Sequence, residues 1–258
     1  LLNLPLNFLS SFFFEHKFNL SKQSIASWAA DQVKTYLLSY LLILIIFSAF
    51  YYITARFPVS WWIICSFAWM FFSLILAKLM PVLIIPMFFK YKPLSNSSLK
   101  RRIIDLADKM GIKLLDVFEI DFSKKTLKAN AAFVGSGSTR RVILADTLQD
   151  KYTDEEIEVI LAHEFAHYKF KHLLKMIIIN ACITVFIFYL MFKTSGYFLG
   201  LFSLGSLSSV ASFPLVVSYF AILGIITRPL ENYISRRFEI NADIMAVKTT
   251  AKKKHSFP

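Results

Sequence analysis

From Tyr36 to Ala55 the chain runs 20 residues without a charge. An apolar run of that length commits the backbone to a helix, because a bilayer core of about 30 Å offers main-chain groups no other partner. A second run covers Val59 to Ala77 and continues past Lys78 through Leu79 to Phe89, where Pro81 and Pro86 are expected kinks or ends. A third spans Met176 to Phe192, and no charged residue occurs between Thr194 and Thr227. That last stretch has room for a connection around Gly196 to Ser209 and a fourth span over Val210 to Thr227. The apolar start, Leu1 to Phe14, has no Met and no signal-peptide pattern; it reads as the tail of a further span, and the chain as a fragment.

Composition agrees, with 56% hydrophobic residues, 27 Phe and only 7 Gly among 258. The net charge of +12 is unevenly spread. Lys and Arg crowd Lys90 to Lys171 and the tail after Arg228, while the connections near Arg56 to Pro58 and Lys193 to Ser209 are nearly bare. The basic segments are therefore expected in the cytosol. No aromatic residues interleave with the basic ones in the way that stacks on bases, which excludes nucleic acid as a partner. Cys65 and Cys182 both lie in apolar runs and predict no disulfide.

The chemistry concentrates in the His-Glu-x-x-His motif His163 to His167. On a helix its two imidazoles leave one face a turn apart and can share one metal ion. Glu164 stands beside them as the candidate general base, able to take a proton from water on the metal. Thr153 followed by Glu156 is a capping-box pattern, so the motif is expected well inside a helix. A two-histidine zinc site needs a third protein ligand, commonly a carboxylate. Glu239 and Asp243, four apart on an expected helix, are candidates for that ligand and for a group orienting a ligand histidine, with Glu231 as competitor. Asp154, Glu155, Glu156 and Glu158 lie too near the start of the motif helix to fold back, and His16 has no ligand partner at helical spacing.

Between the apolar halves, Leu99 to Gly111 reads as an amphipathic helix stopped by Gly111. Strand-like runs follow at Leu114 to Ile120, Ala129 to Val134 and Arg141 to Leu144, with Gly135 to Thr139 as a hairpin connection. Ala129 to Val134 has small side chains; as an exposed edge it could take an extended peptide as an added strand. The expected architecture is mainly α: a multi-pass membrane protein with a small cytosolic α+β zinc-protease domain. Its divisions are residues 1–89 (membrane helices), 90–171 (α+β domain with the motif helix), 172–235 (two spans) and 236–258 (a helix with the third ligand).

Several linked motifs resemble the type I CAAX prenyl proteases. Ile85-Pro-Met-Phe-Phe-Lys-Tyr-Lys-Pro-Leu94 is similar to that family's exit from a span, and Asp121 to Lys125 and Asn130-Ala-Ala-Phe-Val-Gly135 to its Ser-Lys and Asn-Ala-Tyr-Phe elements. Arg141 to Leu148, the metal motif and Ser235-Arg-Arg-Phe-Glu-x-x-Ala-Asp243 follow in the same order. Glu15 to Lys22 matches only at its ends, Asn19 stands where that loop has Gly, and Ala132 where the strand has Tyr.

The resemblance implies seven membrane helices around a chamber and Zn2+ held by His163, His167 and Glu239. It further implies substrate-strand residues Asn130 and Ala131, and cleavage of prenylated CAAX proteins or peptides in the endoplasmic reticulum or bacterial inner membrane. The family's downstream His-Pro-Pro element is not matched before Pro258, and His255 does not correspond to it. Two other functions fit parts of the pattern: a quality-control membrane protease of the heat-shock type, and a non-catalytic membrane scaffold.

Overall fold

The computed structural model describes residues 4–128, 130–134 and 140–251. After short helical turns at Leu4–Phe8, Leu9–Phe13 and Phe14–Lys17, the chain forms α1 (Ile25–Arg56) and α2 (Trp61–Leu79). The turns Met80–Ile84 and Ile85–Phe88 continue α2 through Pro81 and Pro86. Later come α6 (His172–Leu201) and α7 (Phe213–Thr250). These four are the helices, among the described residues, long and apolar enough to cross a membrane. The chain is a multi-pass α-helical membrane protein with a small sheet-containing part.

One expected boundary moves. Gly196 and Gly200 lie inside α6, leaving only Phe202 to Ser209 outside helix and 3-10 turn. A helix-interior Gly costs only about 1 kcal/mol, so a charge-free run containing glycine gives no reliable stop. The division expected at 235/236 lies within the continuous helix α7, which passes through Pro229 and carries Glu239 and Asp243, and two residues from the Arg237/Phe238 boundary between the compact units.

The chain divides into two compact units. One, from Thr35–Ala77 and Leu173–Arg237, is helical, and its core gathers Phe50, Trp61, Cys65, Phe188, Met191, Leu207 and Val216. Across it Thr194 and Tyr219 share a hydroxyl hydrogen bond of 2.6 Å, which satisfies two polar groups in an apolar setting.

The other unit holds the sheet: β1 (Tyr91–Pro93), β2 (Asp116–Ile120), β3 (Ala131–Val134) and β4 (Arg141–Ala145), in the order β1-β2-β4-β3. β3 and β4 pair antiparallel as expected, with Ala131 opposite Leu144; the connection Gly135 to Thr139, and Ala129 at the strand's start, lie outside the described residues. The parallel pairing of β2 with β4 and the short strand β1 were not anticipated.

Helix α3 (Ser97–Lys109) begins two residues before the expected start because Asn96 Oδ1 accepts the Leu99 amide at 3.1 Å. It ends at Gly111 in the left-handed region, φ 73°, which glycine adopts without a Cβ clash. The short helix α4 (Asp146–Lys151) and then α5 (Asp154–Lys169) follow β4. The main core packs Leu99, Ile103 and Leu106 of α3, Val142 and Leu144 of β4, and Ile157, Leu161 and Phe165 of α5. The last three recur every fourth residue, so one face of α5 is buried and the neighbouring face remains for chemistry.

Candidate metal centre

Helix α5 starts where its sequence says it should. Thr153 Oγ1 accepts the Glu156 amide, and the Thr153 amide donates to Glu156 Oε2 at 2.9 Å. Asp154, Glu155 and Glu158 are not free to act as ligands: they face Arg102 of α3 at 3.6, 2.7 and 4.0 Å. The helix thus begins pinned, ten residues ahead of His163.

His163 and His167 leave α5 on its partly exposed face, and their Nε2 atoms lie 3.0 Å apart. The end of α7 buries Ala242 and Ala246 in the main core, which also holds Ile157, Leu161 and Phe165 of α5. Glu239, three residues before Ala242, places Oε2 3.2 Å from His163 Nε2 and 3.5 Å from His167 Nε2. All three ligand atoms fall within 4.8 Å of one another. Atoms bound at zinc-ligand distances around a tetrahedral ion sit about 3.3 Å apart. Two imidazoles and one carboxylate at these separations therefore fit zinc, with a fourth position left for water or substrate. Glu231, on the same helix, is not part of this cluster.

Asp243, one turn beyond Glu239, approaches the other side of His163, its Oδ1 2.8 Å from Nδ1. That contact keeps the His163 proton on Nδ1 and leaves Nε2 free to bind metal. Glu164 lies between the two histidines in sequence, and its carboxyl is pushed above the usual carboxylate range. Burial is the main cause; the Glu239 carboxylate adds to it, and the charges of His163 and His167 pull the other way. A base whose pKa is raised toward neutrality transfers protons more effectively at working pH.

Strand β3 is the terminal strand of the sheet, paired only with β4 among the described residues. Ala131 and Phe133 point to the main core, and the Phe133 ring meets Phe165 at 5.3 Å and Tyr168 at 5.1 Å in edge-on geometry. Those two residues directly follow Glu164 and His167, so the strand is anchored to the motif helix itself. Asn130 is exposed, and its carbonyl accepts the Ala145 amide at 2.9 Å, extending the ladder toward β4.

One close neighbour of the site escaped sequence reasoning. His172 Nδ1 lies 3.0 Å from His167 Nδ1. On a straight helix five residues separate two side chains by about 140°, so the spacing gives no hint of the contact. The chain instead turns at Lys171, which adopts a left-handed φ of 56° between α5 and α6. His16 stays apart from the cluster: its Nδ1 donates to the Phe12 carbonyl at 2.7 Å.

Residues 93–257 match the pattern of Peptidase family M48, and residues 1–90 that described as CAAX prenyl protease N-terminal, five membrane helices. An uncharacterized metalloprotease of Bacillus subtilis, YhfN, is 32% identical over 260 residues, covering 98% of this chain and 60% of its own. CAAX prenyl protease 1 of Saccharomyces cerevisiae is 34% identical over 275 residues, covering 98% and 60%. The crystal structure of S. mikatae Ste24p superposes with a TM-score of 0.82 at 30% identity, over 95% of this chain and 61% of that one. The chain thus spans about 60% of the length of the curated relatives it matches.

Proposed function

Because the chain belongs to peptidase family M48, we propose that it is a membrane-embedded zinc endopeptidase that cuts prenylated CAAX-type proteins or peptides near their C-terminus. The observation that carries this reading is the convergence of His163, His167 and Glu239 beside the half-buried carboxyl of Glu164. Zinc held by those three residues would act as a Lewis acid on the scissile carbonyl and lower the pKa of water. Glu164 takes the proton of the attacking water and passes it to the leaving amine. Asp243 orients His163 through its Nδ1. The free edge of β3 at Asn130 and Ala131 receives the peptide as an added strand, its main chain aligned across the motif helix. The prenylated substrate class is supported by the relatives named for that activity and by the N-terminal membrane region.

The dense Lys and Arg of residues 90–171 and the basic tail favour a cytosol-facing site, in the endoplasmic reticulum or a bacterial inner membrane.

The test compares cleavage of one CAAX-type peptide with and without its farnesyl group, by the protein in detergent and by Glu164→Gln. Prenyl-dependent cutting that disappears in the variant while zinc stays bound is expected. Equal cutting of both peptides would replace this reading with the quality-control protease, and loss of zinc in Glu164→Gln would refute the role given to that residue.

A further inference from the structure

Each histidine of the motif has a second ring nitrogen, and the two are held by unlike partners. His163 Nδ1 meets the Asp243 carboxylate at 2.8 Å. His167 Nδ1 instead meets His172 Nδ1 at 3.0 Å, and His172 is 3% exposed. The His172 ring stacks on Phe238, with centroids 4.3 Å apart and planes inclined by 3°. Phe238 directly precedes Glu239.

Two ring nitrogens at this distance that do not converge on a metal, unlike the Nε2 pair of His163 and His167, share a single proton, since facing lone pairs or facing N–H groups repel. His167 turns Nε2 toward Glu239 and His163. A neutral imidazole that offers the Nε2 lone pair carries its proton on Nδ1. That proton points at His172, whose Nδ1 lone pair accepts it and whose own proton then sits on Nε2. A carboxylate in this buried place would carry the desolvation cost of a charge, whereas a neutral imidazole accepts without that cost.

We propose that His172 is a positioning residue: by accepting at its Nδ1 it fixes the Nε2-binding tautomer and ring plane of His167. The inference rests on the zinc-centre reading. His172 touches neither substrate nor metal; it acts through His167.

The experiment measures zinc affinity by chelator competition, and the visible spectrum of the cobalt-substituted protein, for the full chain in detergent and for His172→Phe and His172→Asn. Phe keeps a flat ring against Phe238 and removes the acceptor. Asn keeps an acceptor at about the reach of Nδ1 and removes the ring.

Loss of an orienting partner of this kind weakens metal binding by about 10- to 100-fold. That loss, with a shifted cobalt band, is expected for His172→Phe, while His172→Asn retains most of the affinity. Unchanged zinc binding in a folded His172→Phe overturns the proposal, as does an equal loss in both variants, which would assign the effect to ring packing. Should His172→Phe fail to fold, wild-type-like affinity and cobalt band in His172→Asn support the proposal, and their loss overturns it. A wild-type protein that binds no zinc overturns the zinc reading as well. One that binds and cleaves, beside an unchanged His172→Phe, overturns only the role of His172.

Discussion

Replacing Asp243 with Ala tests how the metal centre is held without touching a ligand atom. Asp243 accepts from His163 Nδ1 at 2.8 Å, and removing it releases that ring from its tautomer and its plane. Orienting partners of this type contribute between about 10- and 100-fold in metal affinity. Exposure decides where in that range this one falls. The Asp243 side chain is 70% exposed, so water can take its place at the His163 proton. The expected cost is therefore near the lower end, about tenfold in zinc dissociation constant, or ~1.4 kcal/mol. His172 is almost fully buried, where water has no access, so His172→Phe should lose more than Asp243→Ala. Chelator competition on the two purified variants at neutral pH measures both. An Asp243→Ala loss beyond about a thousandfold would mean that Asp243 is itself a ligand; no loss at all would refute the argument that its contact sets the His163 tautomer.

Other changes report on the scaffold. Phe165 is fully buried under the motif face, and Phe165→Ala should cost about 3–5 kcal/mol in stability, read as a lower thermal midpoint in detergent, with zinc binding falling in step. The ion pair of Lys100 with Asp116, at 2.6 Å, predicts a modest pH dependence. The Lys100 hydrogen bond holds the Asp116 carboxyl below its ordinary value, so this stabilisation is present above the unfolded pKa near 4 and is lost as pH falls through the lower folded value. Lys100→Met should remove it, costing under about 1 kcal/mol at neutral pH because both groups are partly exposed, and nothing once Asp116 is protonated. A variant equally destabilised at pH 7 and at pH 2 would refute the pairing argument.

What could be read from the residues depended on how local the signal was. The capping box at Thr153, the stop at Gly111 and the i, i+4 pair His163 and His167 are properties of one helix, and each stands where the spacing places it. Glu239 shares a helix face with Asp243, which the spacing shows, but its approach to His163 spans 76 positions and depends on tertiary packing that no local pattern encodes. β1 escaped notice because three residues ending in Pro93 carry no alternation, and the parallel pairing of β2 with β4 depends on a crossover that no local pattern encodes. His172 carries no local signal for the same kind of reason: its approach to His167 comes from a left-handed Lys171, a conformation that lysine does not advertise. The continuity of α6 through Gly196 and Gly200 shows how weak a breaker glycine is inside an otherwise helical run.

The unbroken course of α7 limits how such a chain can change length. Its apolar stretch and Glu239 share one helical phase, with no linker to absorb an insertion. Adding a single residue between Glu239 and the buried Ala242 would swing the carboxylate about 100° around the helix axis, away from both histidines, whereas adding seven would return its direction to within about 20°. Length changes between Glu239 and the buried alanines therefore keep the carboxylate turned toward His163 and His167 only when they come in near-whole turns.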